Sequence, residues 1–140
     1  MKAFLIDSSR FTVESIDIHP GNVPDQLYKH IGCDRFDAVY LEHGDTLYVD
    51  DEGLLKPQHH FILIDGHPQP YAGKGVLLGS TPAGNNADAK ATLEDLVDKL
   101  TYMERLIGPV VSLRKASMPS RCHMDHLAKV LARLEAAFAG

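Results

Sequence analysis

FDAVYLEHGDTLYVDDEGLLK, residues 36 to 56, contains the strongest hairpin signal of the sequence. Two short alternating runs, FDAVYLE and TLYVD, are rich in Val, Tyr and Leu, and His43-Gly44-Asp45 separates them. This pattern is typical of two antiparallel strands joined by a tight turn. Strand alternation divides the side chains between two faces, with Val39, Leu41, Leu47 and Val49 on one and Tyr40 and Tyr48 on the other.

Three consecutive acids, Asp50, Asp51 and Glu52, follow the second strand and precede Gly53. Alternation would separate the first two carboxylates, and the spacing does not match a calcium loop of the EF-hand type. The pattern favours a type I turn in which an Asp side chain accepts a backbone N–H and Gly53 adopts a positive φ. A metal or acid–base site remains the alternative, and Asp50 and Glu52 are then the pair that alternation places on one side.

The rest of the chain predicts further strands and three helices. Strands are expected at 2–6, 11–18, 61–65, 75–78 and 109–115. A short helix is expected around Pro24, with Asn22 or Asp25 as its cap and Gly32 as its end. Apolar residues at helical spacing from Thr92 to Ile107 predict a long helix that stops at Gly108-Pro109, and a second amphipathic helix is expected from about Ser120.

These elements predict an α+β fold: a small, mostly antiparallel sheet of five or six strands with helices packed on one face. The last two helices form the C-terminus. A chain of 140 residues is the usual size of one domain. We expect a single domain over 1–140, with its core at about 1–80, a mobile loop at about 80–91 and a helical part at 92–140.

Net charge argues against a dedicated nucleic-acid binder, because the chain carries a formal charge of −5. Basic residues are nevertheless in excess beyond Pro109, where five of them stand against two acids. A nucleic-acid modulator that acts through the basic C-terminal helix is therefore kept as a further hypothesis.

The two cysteines, Cys33 and Cys122, are far apart and form no CxxC motif. The apolar run at the start is too short for a signal-peptide core, and no apolar stretch approaches the roughly 20 residues that span a bilayer. We therefore expect a soluble cytoplasmic protein with reduced thiols.

Residues 31–79 resemble a domain-of-unknown-function family of small proteins found in phages, plasmids and their bacterial hosts. The resemblance rests on IGCDRFDAVYLEHGDTLYVDDEGLL, with its [YV]xDDEGxL turn, and on YAGKGVLLG. It implies a genomic context, mobile elements or their bacterial hosts, and no particular reaction.

Histidines supply the other candidates for chemistry. His59 and His60 precede the run FILID, so His60 is a candidate general base with Asp65 as its orienting partner. The catalytic candidates are Asp50, Glu52, His60 and Asp65. In the segment CHMDH, residues 122–126, Cys122, His123 and His126 can converge on one side of a helix as metal ligands, but the pattern favours an ordinary helix start and no metal site is predicted.

The leading prediction is a non-enzymatic accessory protein that binds a protein partner or a small ligand. Its expected surface combines the tyrosine face of the hairpin with the loop at 68–75, which gives Tyr40, Tyr48, Tyr71 and Lys74 as binding residues. Gly73-Lys74-Gly75 lacks the spacing of a nucleotide-binding P-loop, although it can hold an anion. No cofactor is predicted, the oligomeric state is open, and a small metal-dependent or acid–base enzyme is the alternative.

Overall fold

The computed structural model of the protein describes residues 1–41, 44–53, 59–107 and 110–116. The elements in these ranges are β1 (Lys2–Asp7), β2 (Thr12–Asp17), α1 (Val23–Ile31), β3 (Phe36–Tyr40), β4 (Asp45–Asp50), β5 (His60–Ile64), β6 (Tyr71–Ala72), β7 (Lys74–Ser80), β8 (Asn86–Ala87), α2 (Leu93–Lys99), β9 (Leu100–Ile107) and β10 (Val110–Arg114).

The predicted hairpin forms and lies at one side of a six-stranded antiparallel sheet. Strands follow the order β2-β1-β7-β4-β3, and β8 extends the pairing of β7. Leu47 in β4 lies opposite Val39 in β3 and Leu77 in β7. The expected faces are confirmed, because Leu47 and Val49 enter one buried cluster together with Val39 and Leu41.

Strand β7 occupies the middle of this sheet and is buried on both faces. Val76 and Leu78 point to one side and pack with α1, whereas Leu77 points to the other side and packs in the second cluster. Double burial explains why KGVLLGS shows no polar alternation. Gly79 is required by close approach, since a Cβ there would lie 2.0 Å from the Asp88 carbonyl oxygen.

Helix α1 covers the outer face of the six-stranded sheet. Val23, Leu27 and Ile31 form its buried stripe, and Gly32 ends it with φ 74°. Asn22 is the N-cap as predicted, yet its side chain makes no capping bond. The side chain of Gln26 instead ties the preceding segment to the helix, because it accepts the His19 N–H and donates to the carbonyl oxygens of residues 19, 21 and 22.

A second, four-stranded sheet covers the inner face in the order β10-β9-β5-β6. Its buried residues, Ile62, Ile64, Leu100 and Tyr102, pack against Phe4, Ile6, Leu47 and Leu77 of the first sheet. The α+β prediction of one sheet with helices on one face is therefore wrong: the described chain is mostly β, with two stacked sheets. The prediction failed because it assigned the segment that completes the second sheet to a helix.

That segment is residues 100–107. Helix α2 begins after Thr92, whose hydroxyl accepts the Asp95 N–H as predicted, but it ends at Lys99. Residues 100–107 then form β9, which pairs with β5 on one side and β10 on the other. The run LTYMERLI satisfies both periodicities in sequence, and pairing on two sides selects the strand.

Other predictions have mixed outcomes. The strands at 2–6, 11–18, 61–65, 75–78 and 109–115 are confirmed within one or two residues at their ends. The predicted last helix, from about 120, lies outside the described residues. Within the predicted mobile loop, backbone N–H groups of Ala89, Lys90 and Ala91 donate to the Lys2 carbonyl and the Asp45 carboxylate.

Tyr102 links the two sheets directly. The residue stands in β9 of the second sheet, is fully buried, and donates its hydroxyl to the carbonyl oxygen of Thr12 in β2 of the first sheet. Burial, and secondly the nearby Asp7 carboxylate, raise the pKa of Tyr102 well above that of a free tyrosine. The folded protein therefore keeps this phenol protonated at alkaline pH, at which the unfolded chain loses the proton.

We predict that Tyr102→Phe changes the pH dependence of stability. With the folded pKa raised, the phenol's contribution is complete below about pH 10 and falls as the pH rises above it. Between pH 8 and pH 11 the wild type should lose about 1.4 kcal/mol of unfolding free energy that the variant does not lose. Urea denaturation at the two pH values measures this difference, and parallel pH profiles would contradict the burial argument.

Candidate functional site

The chain changes sheets at Gly73, and this corner organises the surface around it. Strand β6 belongs to the second sheet and β7 to the first, and Gly73 between them has φ 79°. Gly73 donates its N–H to the carbonyl oxygen of His60 at 3.1 Å. Its own carbonyl accepts both the N–H and the hydroxyl of the buried Ser8. The backbone of Gly73, with its positive φ, is therefore held by the turn after β1 and by the first residue of β5.

A cleft of about 300 Å³ opens beside this corner. Its wall combines the end of α1, the turn after β1, the last residue of β4 and the first residues of β5 and β7. The lining residues are Ser9, Ile31, Gly32, Asp50, His60, Ala72, Gly73 and Lys74. Three residues predicted from the sequence, Asp50, His60 and Lys74, thus meet in one place although 24 positions separate the first from the last.

Asp7 positions the cation of the cleft. Its side chain is 7% exposed, and its Oδ2 lies 4.0 Å from the Lys74 Nζ, whose side chain is 44% exposed. The other carboxylate oxygen accepts the Ser9 N–H at 3.0 Å and the Ser9 hydroxyl at 2.7 Å. A buried carboxylate therefore orients both Ser9 and the ammonium group, which keeps its outer side open to solvent.

The hydrogen bonds of Asp50 and Asp51 show that the acidic run forms a turn. Its Oδ1 accepts the Glu52 N–H at 3.0 Å, and the Asp51 N–H donates to the Arg35 carbonyl. The predicted Asp-to-backbone bond is confirmed. The predicted positive φ of Gly53 is wrong; a side chain there would instead meet Ala72, with Cβ atoms 3.2 Å apart. Packing between the sheets, not turn geometry, favours glycine.

His60 is held by contacts from both sheets. Its Nε2 lies 3.5 Å from Oε1 of Glu104 on the neighbouring strand β9. The Phe11 ring lies edge-on to it with centroids 6.1 Å apart, and the guanidinium of Arg114 covers Phe11 at 4.6 Å. Phe11 itself has φ 56°, in the turn before β2. The imidazole is therefore positioned at the edge of the cleft.

A smaller pocket of about 80 Å³ adjoins the cleft and shares Asp50 and Ala72 with it. Tyr71, Asp37 and Asp51 also line this pocket. Partial burial, and secondly the Asp37 carboxylate, raise the pKa of Tyr71. Tyr71 thus lines the smaller pocket and Lys74 lines the cleft, although the sequence had grouped the two residues in one binding surface.

The remaining predicted residues lie elsewhere. Tyr40 is 79% exposed, and Tyr48 packs edge-on against Phe36 and donates its hydroxyl to Asn86 at 3.1 Å. Burial, and secondly the electrostatic interaction with Tyr40, raise the pKa of Tyr48. Asp65 lines a different cavity. Glu52 is half-buried and lines neither the cleft nor the adjoining pocket.

No metal centre emerges from the described residues, because no group of three or more His, Cys, Asp and Glu side chains lies close enough there to hold an ion. The predicted ligands Cys122, His123 and His126 lie outside those residues. That they bind a metal, the less favoured explanation of the sequence, therefore stays an untested hypothesis.

Asp7 and Ser9 were missed as functional positions. These residues lie in the connection between the predicted strands at 2–6 and 11–18, and the pairing of Asp7 with Lys74 in antiparallel β1 and β7 makes Asp7 part of the site. A run of hydroxyl and carboxylate residues directly after an apolar strand is the signal that was available.

The cleft is chemically a place for a small polar molecule. It offers one ammonium, one carboxylate, one imidazole and one hydroxyl around apolar contacts from Ile31 and Ala72. Its volume is at the lower end of the roughly 300–1,000 Å³ that is usual for ligand sites.

Comparison with known proteins gives relatives without an assigned activity. The family model described as "Domain of unknown function (DUF3846)" matches residues 1–106. The chain is also similar to the "Uncharacterized protein y4iR" of Sinorhizobium fredii (strain NBRC 101917 / NGR234), with 22% identity over 108 residues that cover 77% of this chain and 67% of that protein. No solved structure matches the chain. Among the described residues, no helix is long and apolar enough to cross a membrane.

The resemblance to a domain-of-unknown-function family is confirmed in that form. The match is also wider than the segment 31–79 from which the resemblance was drawn. It includes β1, the turn at Ser9 and most of β9, so every residue that lines the cleft lies within it.

We predict that the turn at Asp50 contributes measurably to stability. Asp50→Ala removes the acceptor of the Glu52 N–H and should lower the free energy of unfolding by about 1 kcal/mol. Asp51→Ala, a neighbouring and exposed carboxylate, is the matched control and should change it by less than about 0.5 kcal/mol. Urea denaturation compares the two, and equal effects would show that the Asp50 bond is not specific.

Proposed function

The chain belongs to the DUF3846 family of domains of unknown function, and from the geometry of the cleft we propose that it is a non-enzymatic binding protein. It holds a small ligand, which carries a carboxylate or phosphate group, between Lys74 and Asp50. The observation that carries the proposal is the meeting of Lys74, Asp50, His60 and Ser9 in one cleft from four separate parts of the chain.

Lys74 is the group that would recognise the anion. It is the first residue of β7, its ammonium is partly open to solvent, and the buried Asp7 holds it from behind at 4.0 Å. The backbone N–H groups of Gly32 and Gly73 in the same wall already donate to Tyr28 and His60 carbonyls. Recognition of an anion would therefore depend on the side-chain ammonium rather than on a backbone nest.

Asp50 and His60 would select the rest of the ligand. A carboxylate accepts hydrogen bonds, so the ligand would carry a hydroxyl or amino group on the side that faces Asp50. The imidazole can donate or accept, and its contact with Glu104 at 3.5 Å fixes its ring position. A hydroxylated or amino-substituted organic acid, or a phosphorylated small molecule, matches this set of groups.

The hydrogen bond made by the Ser9 hydroxyl favours binding without catalysis. Ser9 donates its hydroxyl to Asp7 at 2.7 Å, so its proton is directed away from His60. A nucleophilic serine needs its base within hydrogen-bond reach. An acid–base enzyme that uses Asp50 and His60 remains the second candidate, because both groups line the same cleft.

The biological setting belongs to the same proposal. The resemblance of residues 31–79 implies bacterial hosts and their phages and plasmids, and the similar Sinorhizobium protein is bacterial. A small binding protein that captures a metabolite or modulates a host factor fits that setting.

The proposal predicts charge-selective binding. We expect phosphorylated and carboxylated metabolites, such as glucose 6-phosphate and citrate, to shift the backbone NMR signals of Gly32 and Gly73, whereas neutral analogues such as glucose should not. Lys74→Met should weaken binding about tenfold or more, because a charge-assisted hydrogen bond contributes roughly 1.5–3 kcal/mol.

Lys29→Met is the matched control, since Lys29 is exposed on α1 and does not line the cleft. Binding that survives in Lys74→Met, or equal binding of glucose and glucose 6-phosphate, would overturn the assignment of Lys74. Turnover of a bound metabolite that is lost in His60→Asn would instead favour the acid–base enzyme.

A further inference from the structure

A second cavity, of about 420 Å³, lies at the opposite ends of two strands that reach the cleft. Strand β4 runs from Asp45 at this cavity to Asp50 at the cleft, and β5 runs from His60 at the cleft to Ile64 at the cavity. Of the residues that the structure describes, none lines both sites. The cavity is therefore a separate place in the fold, and it can be tested independently of the cleft.

The floor of this cavity is aliphatic and comes from both sheets and from α2. Leu77 in β7, Ile64 in β5 and Leu96 in α2 are buried members of the cluster between the sheets. Leu41 and Ala91 are partly buried, pack against the same cluster and add two more aliphatic side chains to the wall. A ligand in the cavity would therefore bury its apolar surface directly against the hydrophobic core.

The carboxylates in the wall are already engaged within the protein. Asp45 is buried and accepts the Lys90 N–H at 2.8 Å and the Ala91 N–H at 2.9 Å, one on each of its carboxylate oxygens. Asp65 and Asp98 have interactions of their own. These carboxylates therefore do not require a cation from a ligand, whereas their negative charge opposes the entry of an anion.

The polar rim of the cavity suits an uncharged head group. Lys99, the cationic residue among the described lining residues, is exposed, so solvent screens its attraction for an anion. His67 also lines the cavity and lies in the turn after β5, where its N–H donates to the Ile64 carbonyl at 3.0 Å and Gly66 has φ 84°. An imidazole can donate or accept a hydrogen bond, so it can pair with a hydroxyl or a carbonyl group.

From this combination we propose that the cavity binds a small uncharged molecule with an aliphatic body and one hydroxyl or carbonyl head group. The body lies on the floor of Leu41, Ile64, Leu77 and Leu96, and the head group lies at the rim beside His67. Burial of apolar surface drives the binding, so the affinity rises with the size of the body and falls when the head group is ionised.

Cyclohexylmethanol, cyclohexylmethylamine and cyclohexanecarboxylate test the preference for a neutral head group, because they carry the same ring and differ in charge at pH 7. We expect the alcohol to shift the backbone NMR signals of Gly66 and Ala91. Each ion should need a concentration about tenfold higher or more, because its head group loses hydration without gaining a partner. An ion that binds as tightly as the alcohol, or an alcohol that shifts neither signal, would overturn the proposal.

A size series tests whether burial of the body drives the binding. 2-Cyclohexylethanol should bind roughly fourfold more tightly than cyclohexylmethanol, which is the effect of one more buried methylene group. Ethanol carries the same hydroxyl with almost no apolar body, so at the same concentration it should leave both signals unchanged. Equal affinities for the three alcohols would contradict a site on the aliphatic floor.

Two substitutions at Ala91 locate the site, because this residue lies in the cavity wall. Ala91→Val and Ala91→Leu should both weaken cyclohexylmethanol, and the leucine variant should do so more strongly because its side chain occupies more of the cavity. Ala83→Leu is the matched control, since Ala83 is exposed and does not line the cavity. Should the leucine variant fail to fold, the valine variant decides. Unchanged affinity in the folded Ala91 variants, or an equal loss in Ala83→Leu, would overturn this location.

Discussion

The requirement that most of the structure depends on is the burial of β7 on both faces. Val76 and Leu78 need cover on one side and Leu77 on the other. A single sheet with one helical layer satisfies only half of that requirement, since the opposite face of Leu77, Leu47 and Phe4 would stay in water. The second sheet buries that face.

The chain reaches the second sheet at corners, and the corners are where polar groups gather. At Gly73 the strand passes from one sheet to the other, and residues that end or begin strands of both sheets meet beside it. Backbone groups at such a corner cannot all pair in a ladder, so Ser8 and His60 supply bonds to Gly73. The same geometry leaves Lys74, Asp50 and His60 directed into a shared cleft. A second cavity, of about 420 Å³, lies at the other ends of β4 and β5.

The degree to which the sequence predicted this arrangement varied with the range of the interaction. Local patterns were sufficient for the hairpin, for the end of α1 at Gly32 and for the bond from Asp50 to the Glu52 N–H, because each involves residues within a few positions of one another. Residues 100–107 were misinterpreted because LTYMERLI suits a helix and a strand equally. Its two partner strands are His60–Ile64, which lies far earlier in the chain, and Val110–Arg114, which follows it, so the run by itself does not reveal the pairing. The sequence named Asp50 and His60 as catalytic candidates and Lys74 as a binding candidate, and all three line the cleft. Tyr40 and Tyr48 lie apart from it, and Asp7 was overlooked.

By itself, then, the sequence determined which residues form turns and which form strands with alternating side chains. It also determined which acids and histidines are available for chemistry. Steric preferences and near-neighbour hydrogen bonds act within a few residues, so they can be read from order alone. Only the tertiary structure decided that there are two sheets, that Gly53 is small because Ala72 packs on it, and that a buried Asp7 positions Lys74. Those outcomes depend on burial and on contacts between strands far apart in the chain, and their free energy exists only once both partners are in place.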